Sequence, residues 1–346
     1  MEQKYKDLLK KAVIIGKEVL PVVATNVVYN KMFHKHINTY FPLNYTMSDY
    51  PDLCRDRYTF FTEPKHTLVG YMYFKKEVKQ KAILVFAHGY GGGGHHCYLD
   101  IINYFASNGF YVFAYDATAN DESEGDDIRG FPQGIIDLDH AINFVKSLPN
   151  YLTYPIFLLG HSWGAYSVSN VILNHPEIPA IAEISGFSIS TDFIKEHAKQ
   201  YVGQIEDFSL DDVDDYEMNI FGELAKRDAV DVFNKVKTRI FVIHSKDDKV
   251  VYCACGYNKY FAKFNDNSRF KFKLCVNRNH TPYHTYEGIQ YENNFNKELN
   301  KYIKDNKAND EQKYQWIEAN IDRHYWAHRL DENLMKEIKN FFFESI

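Results

Sequence analysis

Six strand-length apolar runs, Ala82 to Ala87, Phe110 to Tyr115, Pro155 to Leu159, Ile178 to Ile184, Arg239 to Ile243 and Phe270 to Val276, alternate with segments of helical character. Such alternation calls for a mostly parallel central sheet with helices on both faces, because parallel neighbours need crossover connections that pack back onto the sheet. Ligands in such sheets sit beyond the carboxyl ends of the strands, so the chemistry is expected just after each run. Upstream, Tyr58 to Thr62 and Thr67 to Phe74 flank the turn-like Glu63-Pro64-Lys65-His66 and read as an antiparallel edge hairpin.

Two stretches fall outside the alternation. Between Phe187 and Lys237, about fifty residues separate two strands, with helix-like pieces and a helix-start signal at Ser209-Leu210-Asp211-Asp212. A connection so long inside a compact domain has its own structure and commonly a function such as a lid. The stretch Asn293 to Arg329 is polar and precedes a final helix, Asp331 to Phe343. The expected organisation is an N-terminal amphipathic helix and connection over 1–57, an α/β core over 58–186 and 238–346, and a helical cap or lid over 187–237.

Charge and cysteine usage remove several classes. A net charge of −6 argues against sequence-independent nucleic-acid binding, which needs clustered Lys and Arg. Five cysteines, with Cys253 and Cys255 one residue apart and no second pair, fit a reducing cytosol and not a zinc site. The acidic cluster Asp211, Asp212, Asp214 and Asp215 lacks the glycine and distal glutamate of a calcium loop and reads as a solvated helix start. The loop His88-Gly89-Tyr90-Gly91-Gly92-Gly93-Gly94 lacks both the Lys-Ser/Thr ending of a P-loop and dinucleotide-fingerprint spacing. No cofactor and no metal are expected.

At the N-terminus, Lys4, Lys6, Lys10 and Lys11 precede the apolar Ala12 to Gly16 in the manner of a signal peptide, but Lys17 and Glu18 cut the run short. Leu8, Ala12, Ile15, Val19, Val23 and Val27 recur near helical spacing, which predicts an amphipathic helix packed on its own domain. Weak contact with a membrane surface is the alternative, and the expected location is cytoplasmic.

The most specific chemical signal is Gly160-His161-Ser162-Trp163-Gly164, which follows the run ending at Leu159 and precedes a helical segment, Ala165 to Leu173. A serine on such a strand-turn-helix junction stands clear of the sheet with a helix start behind it to stabilise negative charge. Its hydroxyl needs a base and an acid that orients the base. Downstream, one strand leads into His244-Ser245-Lys246-Asp247-Asp248, and the last leads into Asn277-Arg278-Asn279-His280-Thr281-Pro282-Tyr283-His284. Serine, acid and histidine thus occur in the order suited to this sheet type.

From about Tyr58 to the last helix, the chain resembles a member of the α/β-hydrolase fold superfamily. The resemblance implies a Ser-His-Asp triad. An Asp-x-x-Val pattern in that family selects Asp248, with Val251, over Asp247. His280, nearer its strand end, corresponds to the family's base ahead of His284, and His244 is left a structural role. One oxyanion-hole N–H is expected from Trp163. The other is implied at Tyr90, because the His88-Gly89 loop resembles the family's His-Gly motif. His95 and His96 are assigned to packing or surface, and the carboxylates of Asp121-Glu122-Ser123-Glu124-Gly125 to solvent. The expected activity is hydrolysis of small acyl esters through an acyl-enzyme. A serine aminopeptidase or amide hydrolase, and a non-catalytic binding protein, are the alternatives.

Overall fold

Every side chain of β3 (Ala82–Ala87) is buried, and alternate residues serve opposite layers: Ile83 and Val85 join one apolar cluster, Leu84 and Phe86 the other. A strand that is apolar on both faces can lie only in a covered sheet, as the run pattern required. The computed structural model describes residues 19–202 and 211–346. Its other strands are β1 (Cys54–Thr62), β2 (His66–Phe74), β4 (Phe110–Tyr115), β5 (Ile156–His161), β6 (Ala180–Ile184), β7 (Arg239–Ser245) and β8 (Phe270–Cys275). They form one sheet in the order β1-β2-β4-β3-β5-β6-β7-β8. The pairings β1 to β2 and β2 to β4 are antiparallel, and all the rest are parallel.

One layer holds α3 (Gln133–Ser147), α4 (Trp163–Val171), α7 (Ala229–Lys235) and α8 (Tyr257–Phe264). The opposite layer holds α2 (Leu99–Ser107) and α12 (Glu332–Phe343), where Phe342 lies flat on Phe157 at 4.9 Å. The described part of the N-terminal helix is α1 (Val19–Met32), while the periodic positions before Val19 lie outside the described residues. Val27, Val28, Tyr29 and Met32 are all buried against the protein's own residues. Apolar area taken from water in this way contributes to folding.

Between β6 and β7 lie α5 (Ser190–Val202) and α6 (Asp211–Phe221), followed by α7. The start signal at Ser209 and Leu210 lies outside the described residues, and α6 is described from Asp211. The polar stretch Asn293 to Arg329, for which the sequence suggests no elements, is largely helical: α9 (Tyr286–Asn306), α10 (Asp310–Asn320) and α11 (Arg323–Ala327). Each has a local start device, with Thr285 accepting from the Gly288 amide, a capping box between Asn309 and Gln312, and Asp322 accepting from Tyr325. Only a narrow stripe, including Phe295, Leu299 and Ile317, is buried, so these helices read as polar overall in the sequence.

Among the described residues no helix is long and apolar enough to cross a membrane, and no group of three or more His, Cys, Asp or Glu side chains is placed to hold a metal ion.

Candidate active site

Ser162 stands alone between the end of β5 and the first residue of α4, with φ 56° and ψ −113°. A non-glycine residue in that region is strained, and the surrounding hydrogen bonds hold it there. Its amide donates to Ile184 O at 2.8 Å, and its carbonyl accepts from the Tyr166 amide at 3.0 Å. The close approach explains Gly164, where an added Cβ would lie 1.9 Å from Ala87 O, inside the strand that leads to the His-Gly loop. Ser162 itself is only 8% exposed.

The two downstream loops meet beside this turn. His280 Nδ1 lies 2.8 Å from Asp248 Oδ2, with the Asp248 side chain fully buried and that of His280 at its edge, 18% exposed. The other Asp248 oxygen accepts from the Val250 and Val251 amides at 2.8 and 2.9 Å. An acceptor-only carboxylate so held takes the proton on Nδ1 and leaves Nε2 as the acceptor for a hydroxyl. Asp247 is bonded differently, accepting from Ser245 Oγ at 2.7 Å and from the Arg278 and Asn279 amides at 3.2 Å each. Burial raises the Asp247 carboxyl, but those hydrogen bonds outweigh it and hold the group below its ordinary value. One carboxylate therefore faces the imidazole, and its neighbour clamps the loop that carries it.

His244 donates from Nε2 to Val251 O at 2.8 Å and lies 3.5 Å from Asp248 Oδ2, so it braces the acid's own loop. His284 is buried against Asp100 Oδ2 at 3.0 Å and Tyr45 Oη at 3.3 Å, on the α2 side of the sheet. His244 thus stands behind the oxygen that meets His280, with its shorter bond to the backbone, and His284 is turned away from the pair.

Two residues with no role in the sequence reading join these loops. His161 Nε2 lies 2.8 Å from His280 O, and its Nδ1 lies 2.9 Å from Tyr98 Oη, which accepts from the Gly89 amide at 3.0 Å. Burial first, and the neighbouring His280 second, hold His161 well below its ordinary value and so neutral. With one proton on Nε2 donated to His280 O, Nδ1 accepts from the tyrosine. The line of bonds joins the His-Gly loop, the end of β5 beside Ser162 and the His280 loop. A histidine next to the serine was the only trace of it in the sequence.

His88 is buried, and the burial lowers its pKa; its Nε2 accepts from the Ala117 amide at 2.9 Å while Nδ1 donates to Gly89 O at 2.8 Å. Tyr90 follows on this loop, with its ring 6.3 Å from that of Trp163 and its hydroxyl donating to Met32 O. β3 and β5 are parallel neighbours paired as far as Ala87 and Gly160, so the His-Gly loop and the turn at Ser162 leave adjacent strand ends. The Trp163 ring is anchored by its own N–H on Phe131 O at 2.8 Å.

One expectation is corrected here. Asp116, at the end of β4, is fully buried against His95, Oδ1 to Nδ1 at 2.6 Å, and His95 Nε2 lies 2.7 Å from Tyr73 Oη. Asp121, expected to face solvent, accepts from the Thr39 amide and hydroxyl and from the Gly94 amide. Glu122 and Glu124 are exposed as expected, with Glu122 taking Arg57 at 3.0 Å and Tyr71. Buried N–H donors of a glycine-rich loop need acceptors, and short acidic side chains supply them. His95 and His96 are buried packing residues, and burial brings His96 down to about 4.

The family model described as "Serine aminopeptidase, S33" matches residues 78–206, just over a third of the chain. No curated protein matches. Among solved structures, the Pyrococcus furiosus esterase Pf2001 superposes with TM-score 0.54 at 18% identity, covering 75% of this chain and 94% of that one. A second crystal form of the same esterase gives 0.54 at 16% identity over 79% and 97% of the two chains. DcsB, in a complex with its substrate analogue, gives 0.51 at 14% identity over 85% and 100%. Sheet order, the turn at Ser162 and these superpositions agree, and the chain has the α/β-hydrolase fold.

Proposed function

We propose that the protein is a serine hydrolase that cleaves carboxylic esters through an acyl-enzyme, with Ser162 as nucleophile, His280 as general base and acid, and Asp248 as the group that orients His280. The observation that carries the reading is the bond of His280 Nδ1 to a buried Asp248, on two strand-end loops beside a strained Ser162. Ser162 Oγ attacks the carbonyl carbon as its proton passes to His280 Nε2. The backbone N–H groups of Tyr90 and Trp163 hold the oxyanion, the alcohol leaves with the proton from His280, and water repeats the sequence on the acyl group.

Replacing Ser162 with alanine is expected to abolish both turnover of a short p-nitrophenyl ester and labelling by a fluorophosphonate. Labelling that persists in Ser162→Ala would sink the assignment. Hydrolysis of aminoacyl amides is the second reading, favoured by the match to a serine aminopeptidase family. Measuring kcat/KM on aminoacyl p-nitroanilides beside acyl p-nitrophenyl esters separates the two. The 187–237 insertion, with its apolar Phe187 and Phe193 turned onto Phe131, is the proposed cap over the acyl group.

A further inference from the structure

A cavity of about 400 Å³ opens between α1 and α6, above the segment that follows β4. Aromatic rings from Tyr29, Phe33 and Tyr216 form part of its wall, and Asn30, His34, Asp127, Arg129 and Asn219 bring polar groups to it. The charges within it are unevenly matched. Asp127 already has a partner in the His34 imidazole, Oδ2 to Nδ1 at 3.3 Å. Among the described residues Arg129 pairs with no carboxylate: its Nη1 donates to the neutral Gln133 Oε1 at 2.8 Å, and its guanidinium lies 5.2 Å from the centre of the Phe221 ring. Gln133 is itself fixed by donating to Glu63 O and Asp137, so the acceptor that aims Arg129 does not swing away. Burial followed by the Asp127 charge raises the Tyr216 phenol, which stays a neutral donor in the wall.

The backbone at Arg129 is a second, independent observation. Its φ is 67°, and the Gly130 amide donates to Ile128 O at 2.8 Å, so Arg129 sits at the centre of a three-residue turn that L side chains rarely adopt. Glycine would hold this turn without strain, yet the chain carries a long cation here. The next residue is a glycine under close approach, where an added Cβ would lie 2.8 Å from the Phe221 ring of α6. The insertion therefore rests directly on the turn that projects the guanidinium.

The cavity is one layer of rings from the nucleophile turn. Phe33 packs edge-on against Phe131 at 4.9 Å and lies 6.0 Å from Tyr90, and both of those rings lie within 6.4 Å of Trp163, the residue after Ser162. We propose that this cavity is a recognition pocket for an anionic group, a carboxylate carried at the far end of a chain whose other end presents the reacting carbonyl, with Arg129 as its principal contact. In calling that molecule a substrate the proposal rests on the hydrolase reading; the binding itself does not. A guanidinium offers its remaining N–H groups to a carboxylate in a planar fork, and binding energy gained away from the reacting carbonyl can be used to orient it.

The test uses the full chain bearing Ser162→Ala and compares, by calorimetry, the monomethyl and dimethyl esters of straight-chain dicarboxylic acids from succinate to suberate. Each pair shares one carbon chain and differs in one terminal charge. At the chain length that spans the layer of rings, the monoester is expected to bind at least about tenfold tighter, and Arg129→Gln to reduce the advantage to about twofold or less. Arg129→Gly is expected to lose the same preference while its Tm equals or exceeds that of the parent, since it relieves the turn. Equal binding of mono- and dimethyl esters at every length overturns the proposal. So does a preference that survives in both arginine variants, or a lowered Tm in Arg129→Gly with the preference intact, which makes the arginine structural. Failure of the hydrolase reading appears separately, as absent fluorophosphonate labelling of Ser162 in the wild type.

Discussion

Asp248→Asn isolates one element of the proposed chemistry, because the surroundings of that side chain dictate what an amide can do there. Its Oδ1 accepts two amides, from Val250 and Val251, and its Oδ2 accepts from His280 Nδ1. An asparagine has one acceptor and one donor, so keeping the acceptor on the two amides turns its NH2 toward His280. The imidazole must then accept at Nδ1, which moves its proton to Nε2 and removes the acceptor for the Ser162 hydroxyl. Loss of the working tautomer in a serine-histidine-aspartate site costs about 10⁴ in kcat, or about 5.5 kcal/mol of transition-state stabilisation. The isosteric change leaves the fold in place, checked by an unchanged circular dichroism spectrum. The assay is kcat for a short p-nitrophenyl ester together with the rate constant for fluorophosphonate labelling. Asp247→Asn is the control: it weakens the clamp on the Arg278 and Asn279 amides, and a loss of about tenfold or less is expected. The reasoning is refuted if Asp248→Asn keeps activity within tenfold of wild type, and most directly if Asp247→Asn is the variant that loses it.

Two further outcomes follow from the buried polar groups. His161→Phe removes both the donor to His280 O and the acceptor of Tyr98, and a loss of about tenfold in ester kcat is expected, with recovery in His161→Gln, whose amide N–H can reach the same carbonyl; equal activity of the phenylalanine and glutamine variants would count against a positioning role. Burial raises Glu217 on α6 from 4.5 to about 7, with the nearby Asp214 adding to it, so between those values the folded protein holds a proton that the unfolded chain has released. Stability is therefore expected to fall as pH rises from about 4.5 to 7 and then level, by on the order of 3 kcal/mol. Glu217→Gln should flatten that part of the Tm-against-pH curve, and an identical curve for the variant would place the carboxyl in a wetter setting.

Much of the architecture was legible because burial on both faces leaves a strong local mark. The runs at Ala82–Ala87 and Phe110–Tyr115 match β3 and β4 end to end, whereas β5 and β7 extend by two residues through His161 and Ser245. Those extra residues, Gly160, His161, His244 and Ser245, are not apolar, and the partners of the two terminal ones, Ile184 and Cys275, lie far off in the chain. The helices α9 to α11 were not legible, because a helix that buries only a thin stripe looks polar along most of its length. The carboxylates after β4 read as a solvated loop for a related reason. Their acceptors serve Thr39, Gly94 and His95, and nothing local marks a side chain as the partner of an amide more than twenty residues away.

The sequence by itself determined the sheet class, the junction that carries Ser162, and the two loops from which an acid and a base could come, since each is written in a short span of apolar run followed by turn chemistry. Only the tertiary structure decided which partner each member of a pair meets. Asp248 faces the imidazole and Asp247 its backbone, and His280 meets the acid while His284 turns to Asp100. Adjacent residues of the same type carry the same local information, and their roles separate only when the fold brings a distant partner to one of them. The same holds for Arg129, whose neighbours in sequence look like any loop and whose meaning comes from the two helices that close a cavity over it.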